Sequence, residues 1–159
     1  MSQLSDYTSF RVGGPAQEIV NASNETEIIE AVQAADEAGK PILILGSGTN
    51  VLVSDEGFKG VVIHVSSAEV EAEVDACSGA TLTIGAGEVW DSFVVTTIAR
   101  GYAGLETLSG IPGTMGAAPI QNIGAYGHEG SEFITRVRTY DRKEKIVKTF
   151  TNAECDFTY

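Results

Sequence analysis

No apolar run in this 159-residue chain approaches the roughly 20 residues that a bilayer-spanning helix needs, so a membrane-embedded protein is not expected. The opening stretch Met1–Arg11 (MSQLSDYTSFR) also lacks the basic and apolar regions of a secretory signal peptide. Positive charge is scarce. Ten Lys and Arg stand against 22 Asp and Glu, a formal net charge of −12. A field of that sign repels nucleic acid and anionic membranes, and neither is expected as a partner. Cysteine is nearly absent: Cys77 and Cys155 are the only two, and neither belongs to a C-x-x-C pair. That points to reduced thiols in a cytosolic protein, and no Cys-based metal site is expected. What remains is ordinary for a globular core, with 43% apolar and 20% charged residues.

The few cations are also unevenly placed. Six of the ten (Arg136, Arg138, Arg142, Lys143, Lys145, Lys148) crowd near the end, and between Gly60 and Thr135 only Arg100 occurs. A phosphate bound in the first two-thirds of the chain would therefore rely mainly on backbone N–H groups. Glycine has the complementary bias, with eight of 18 falling between Gly101 and Gly130.

The pattern predicts a strand at Gln17–Asn21, then a helix from Glu25 to Ala38. Asn24 is placed to cap that helix, Glu27 to complete a capping box, and Gly39 to stop it. Pro41–Leu45 (PILIL) reads as a strand covered on both faces, completing a βαβ unit. Val51–Val53 and Gly60–Val65 read as two more short strands. After Ser66 the residues Glu69, Glu71, Glu73 and Asp75 alternate with Val70, Ala72, Val74 and Ala76, the period of a half-exposed strand whose acidic side is a solvated face. Thr81–Ala86 is its expected partner. Glu88–Arg100 reads as a helix with Trp90, Phe93, Val94, Thr97 and Ile98 on one side. Nothing regular is expected after it until a hairpin of Ile134–Tyr140 and Lys145–Phe150. The sum is an α+β protein, with a parallel first lobe over residues 1–66 and an antiparallel second lobe over residues 67–159.

Two glycine loops carry the chemistry. Gly46-Ser47-Gly48-Thr49-Asn50 follows the apolar strand directly, and successive N–H groups in such a turn can converge on an anion. Val51 stands where a Rossmann fingerprint needs its third glycine, and no Gly-Lys-Ser/Thr marks a P-loop. The loop alone admits both an anion cradle and a plain tight turn. On the first reading a valine at Gly48 should cost ligand binding with modest harm to folding. The second loop, Leu105–Gly127, has 23 residues with Glu106 as its only charge. Loops of that length without regular structure are usually functional. Its small residues suit close approach to a flat ligand, and Gln121 and Asn122 suit hydrogen bonds to a heterocycle with mixed edges. A packing segment is the competing reading. Together the loops offer a phosphate cradle and a neutral slot, which is what a dinucleotide such as FAD requires.

Four ordered stretches now become recognisable: Thr8–Gly14 (TSFRVGG), Ile44–Leu52 (ILGSGTNVL), Gly85–Trp90 (GAGEVW) and Ile111–Gly127 (IPGTMGAAPIQNIGAYG). They resemble the UDP-N-acetylenolpyruvoylglucosamine reductases, the MurB family of peptidoglycan synthesis, over nearly the whole chain. The resemblance implies a bacterial cytoplasmic flavoenzyme. Its fold would be the two-lobed FAD-binding domain of the vanillyl-alcohol oxidase and p-cresol methylhydroxylase type, with noncovalent FAD between the lobes. It implies that Gly46, Ser47, Gly48, Thr49 and Asn50 hold the pyrophosphate. Ile111, Pro112, Gly113, Gly116, Ala117, Ala118, Pro119, Gln121, Asn122, Ile123 and Gly124 would line the rest of the flavin site. Tyr126 would face the substrate. In the family NADPH reduces FAD, which passes hydride to UDP-N-acetylglucosamine enolpyruvate, while a Ser or Cys gives a proton and an Arg and a Glu steady the intermediate.

Some features depart from the pattern. Glu154–Tyr159 resembles the segment just before the family's catalytic Arg, so the chain is expected to be truncated at the C-terminal end of its FAD domain. On that expectation it lacks the substrate domain, holds no catalytic residue and is inactive alone. Ala117 stands where some members carry Ser. Other residues have plainer readings: His64 and His128 structural or exposed, Trp90 in the core, and Glu88 stabilising a helix N-terminus. Arg11 could reach a cofactor phosphate or tie down the N-terminus. Another flavoprotein oxidoreductase of the same fold, or a non-enzymatic nucleotide-binding module, stays in view beside the reductase.

Overall fold

The computed structural model describes residues 2–75 and 79–158, so Met1, Ala76, Cys77 and Tyr159, which the sequence reading invoked, lie outside the described residues. The chain divides into two compact units, Met1–Ala68 and Glu69–Tyr159. Among the described residues no helix is long and apolar enough to cross a membrane.

The first unit is built on a three-stranded parallel sheet. Strand β1 (Ala16–Ala22) leads to helix α1 (Glu25–Glu37), then come β2 (Ile42–Leu45) and β3 (Phe58–Val65). Helix α1 starts where Asn24 Oδ1 accepts the Glu27 N–H at 2.9 Å. The Glu27 carboxylate accepts in return from Ser23, through its N–H at 2.7 Å and its hydroxyl at 2.9 Å. The reciprocal bond thus falls one residue before the cap.

The strand order is β1-β3-β2, which corrects the sequence reading in two places. First, β2 is an edge strand and Ile44 is 53% exposed, so the PILIL run is not covered on both faces. The doubly flanked strand is β3, where Val61, Val62 and Ile63 are each at most 3% exposed. Second, Val51–Val53 forms no strand. Val51 and Val53 pack on the cluster of Leu4, Ala16, Leu45 and Val62 while Leu52 faces outward. The alternation in burial is real. Both edges of β3 are taken by β1 and β2, however, and the chain turns at Ser54–Gly57 before any ladder can form.

The second unit begins with the antiparallel pair β4 (Val70–Asp75) and β5 (Gly79–Ile84). Glu71 and Glu73 face Thr83 and Thr81 across the ladder, the solvated side that was expected. The opposite side departs from expectation, because Val74 is 64% exposed. Helix α2 (Trp90–Ala99) buries Trp90, Phe93, Val94 and Thr97 and leaves Ile98 half-exposed at 48%. The stretch after it is not structureless. It holds a 3₁₀ turn at Leu105–Leu108, a one-turn helix α3 (Ala118–Gln121), the short strands β6 (Gly124–Ala125) and β7 (His128–Glu129), and a second 3₁₀ turn at Gly130–Glu132. Each element is too short for hydrophobic periodicity to register. The unit closes with the hairpin β8 (Arg136–Asp141) and β9 (Ile146–Thr151), and one helical turn, α4 (Asn152–Cys155). Asp141 caps the hairpin turn by accepting the Lys143 and Glu144 N–H groups. The Glu144 bond above all, with Lys148 beside it, pulls the Asp141 carboxyl down to about 2.

Candidate functional site

In the first unit the glycine loop opens into a cleft of about 510 Å³, walled on one side by Ser5–Ser9 with Arg11 and on the other by Gly46, Ser47 and His64. That volume lies in the ordinary range for small-molecule sites. Backbone packing shapes the loop. Gly48 is buried with φ +63°, and a Cβ there would lie 2.0 Å from the Tyr7 carbonyl oxygen. The Ser9 N–H donates to the Gly48 carbonyl at 3.0 Å, so residues 7–9 and 46–48 are docked together. The expectation for a valine at position 48 changes accordingly: harm to folding is no longer modest. Thr49 is half-buried and Asn50 exposed, and both lie in the turn that follows.

His64 is held by two neighbours. Its Nδ1 donates to Asn21 Oδ1 at 3.0 Å, and its ring meets the Tyr7 ring edge-on at 5.3 Å between centroids. The structural reading of His64 therefore holds, and the same side chain also lines the cleft.

In the second unit the long segment, whose only charge is Glu106, wraps the start of α2. The Trp90 N–H donates to the Gly113 carbonyl at 3.1 Å, and Trp90 Nε1 donates to the Leu108 carbonyl at 2.8 Å. Asp91 Oδ1 accepts from the Gly110 N–H and the Ser109 hydroxyl, both at 2.7 Å. Those two bonds, the Gly110 one first, hold the Asp91 carboxyl below the usual carboxylate range. Gly116 donates its N–H to the Ala86 carbonyl at 2.8 Å, and a Cβ on it would meet the Ala86 side chain at 2.7 Å. The packing reading of this segment is thus true of one face. Leu108 and Ala118 are core residues with Trp90 and Val94, and Ile111, Met115 and Ile123 pack against them.

The other face is open. Ile120 is 83% and Tyr126 90% exposed, and Pro112, Gln121 and Gly124 are exposed beside them in sequence. Gly113, Ala117 and Pro119 are half-buried. Gln121 and Asn122, which the sequence treats alike, have different roles here. Asn122 is 3% exposed with φ +42°. Its Nδ2 donates to Glu129 at 2.6 Å, and its Oδ1 accepts the Ser131 N–H at 3.0 Å. Its amide therefore holds the β6–β7 turn and leaves Gln121 as the side chain free to meet a heterocycle. Sequence reasoning missed Glu129, a carboxylate that becomes visible only when Asn122 is seen to need a partner. Nearby, His128 above all, then the Glu129 N–H, hold the Glu132 carboxyl below its ordinary value.

This arrangement gives one unit a polar cleft at a glycine loop. It gives the other a core-backed surface, uncharged after Glu106, that ends in an exposed tyrosine. Comparisons with known proteins identify what the chain is similar to. The family model described as an FAD binding domain matches residues 16–149. The UDP-N-acetylenolpyruvoylglucosamine reductase of Cutibacterium acnes is 50% identical over 156 residues, which is 98% of this chain and 42% of that protein. The chain thus spans less than half the length of that curated relative. Among solved structures, the UDP-N-acetylenolpyruvylglucosamine reductase of Thermus caldophilus superposes with a TM-score of 0.77 at 27% identity, covering 99% of this chain and 54% of that one. A VAO-type flavoprotein from Myceliophthora thermophila superposes with a TM-score of 0.64 at 18% identity over 86% of this chain and 26% of its own, a likeness of fold alone.

Proposed function

This chain belongs to the FAD-binding domain family, and on that premise we propose that it is the flavin-holding portion of a bacterial, cytoplasmic UDP-N-acetylenolpyruvoylglucosamine reductase. The observation that carries the reading is the Leu105–Gly127 segment. Its buried anchors and its hydrogen bonds to α2 fix an outer face, free of charged side chains after Glu106, that a flat, neutral ring system can lie against. The cleft at Gly46–Ser47 fits a phosphate group: it offers backbone at a glycine turn, hydroxyl side chains and one arginine.

Within the proposal, Gly46–Asn50 hold the pyrophosphate of FAD. Ile111–Gly113, Gly116–Pro119 and Gln121–Gly124 shape the remainder of the flavin site, with Ala118 and Asn122 acting by fixing the backbone. Tyr126 faces the nucleotide-sugar. FAD, when bound, supplies the hydride, taken from NADPH, for the enolpyruvyl double bond of UDP-N-acetylglucosamine enolpyruvate. Relatives with this name are longer than the chain, and the proposal assigns the proton donor and the residues steadying the intermediate to positions outside it. Alone, the chain holds flavin without turnover.

A chimera tests this directly. With this chain in place of the matching 156 residues of the Cutibacterium acnes reductase, NADPH oxidation should depend on added UDP-N-acetylglucosamine enolpyruvate. The rate should stay within about tenfold of the parent enzyme. A chimera that folds and binds FAD but shows no such activity would refute the assignment.

A further inference from the structure

The cleft beside the glycine loop has a feature that the loop cannot supply. Gly46–Asn50 contains no cation, and the first unit has only Arg11, Lys40 and Lys59. Lys40 is paired with Glu18 at 2.7 Å, and neither lysine lines the cleft. Arg11 does. Asp6 also lines the cleft, so without Arg11 the formal charge of its Asp and Arg residues would be negative.

Arg11 holds an unusual backbone conformation to be there. Its φ is +53°, a region that costs a side-chain-bearing residue energy and that glycine enters freely. The strain is locked in by a small turn. The Arg11 N–H donates to the Thr8 carbonyl at 3.0 Å, and the nearly buried Thr8 hydroxyl donates to the Val12 carbonyl at 2.9 Å. A turn that needed only this backbone would be better served by glycine. Strain retained at a cleft is a reason to look for function in the side chain. The turn is also pre-organised against the glycine loop, through Ser9 and through the contact of Gly48 with Tyr7.

We infer that Arg11 is a ligand-binding residue whose guanidinium completes a two-loop anion site for the diphosphate of a nucleotide. Resting on the flavin reading above, that diphosphate is the pyrophosphate of FAD. The guanidinium fork matches phosphate oxygens in pairs, which a lone backbone turn does not.

The test is Arg11→Gly in this chain. The substitution removes the guanidinium and relieves the backbone, so the urea midpoint should stay level or rise. Affinity for FAD and for ADP should each fall about tenfold or more and no longer weaken as salt rises, while riboflavin, which has no phosphate, binds as before. Arg11→Lys should recover part of the loss. Unchanged FAD and ADP affinity in Arg11→Gly overturns the inference and leaves the flavin reading standing. A parent chain that binds UDP or NADPH, weakened by Arg11→Gly, but refuses FAD keeps the anion site and overturns the flavin reading. Binding of no diphosphate at all by the folded parent chain overturns both.

Discussion

Gly48→Val is expected to abolish measurable FAD binding and, at the same time, to destabilise the first unit by about 3 kcal/mol or more. Two effects add. Valine resists a φ of +63°, and its Cβ would sit 2.0 Å from the Tyr7 carbonyl oxygen, a distance that forces backbone to move. The displaced partner is the segment carrying Ser9 and Arg11, so the cleft loses its second wall along with its loop. Urea unfolding followed by circular dichroism, together with FAD titration in the absence of urea, reads both effects. A variant as stable as the parent would show that residues 7–9 and 46–48 are not docked as described.

Trp90→Ala should cost the second unit about 3–5 kcal/mol, a large share of the roughly 5–15 kcal/mol that holds a domain folded. Trp90 is 2% exposed and lies in the core with Val94, Leu108 and Ala118. Its removal leaves a cavity and strands the Leu108 carbonyl, which now accepts from the indole N–H. Trp90→Phe should fall between the two, since it restores much of the apolar contact and none of the hydrogen bond. Because this is the chain's single tryptophan, circular dichroism rather than fluorescence must follow the unfolding. Flavin binding should weaken in step with stability, because the same bonds carry the Leu105–Gly127 segment. A loss below about 1 kcal/mol for Trp90→Ala would mean that the segment is not anchored on α2.

Where a signal was local, the sequence exposed it. Asn24 and Glu27 announce the start of α1, the acidic alternation announces β4, and the stretches Ile134–Tyr140 and Lys145–Phe150 announce the hairpin found at Arg136–Thr151. What stayed hidden depended on strand order. Nothing in Pro41–Leu45 says that β3 will enter between it and β1, which turns the most apolar run into an edge and moves burial to Val61–Ile63. Val51–Val53 has a strand's alternation with no ladder to join. The candidate site divides the same way. Glycine loops are readable as loops, but the wall facing Gly46–Ser47 comes from residues some forty positions earlier, and only the folded chain brings Arg11 and His64 to it. Asn122 shows the converse. Its residue type suggests a ligand contact, whereas its burial and its bonds to Glu129 and Ser131 make it a brace.

The central claim is that this chain is built to hold FAD without a covalent bond, and equilibrium titration of the chain with FAD tests it most directly. Neither glycine loop contains a His or Cys to which a flavin could be attached. Saturable binding at one site is predicted, reported by quenching of flavin fluorescence, with the yellow colour passing into the supernatant when the protein is precipitated with acid. A chain that is folded by circular dichroism yet shows no saturable change up to about 1 mM FAD would contradict the account.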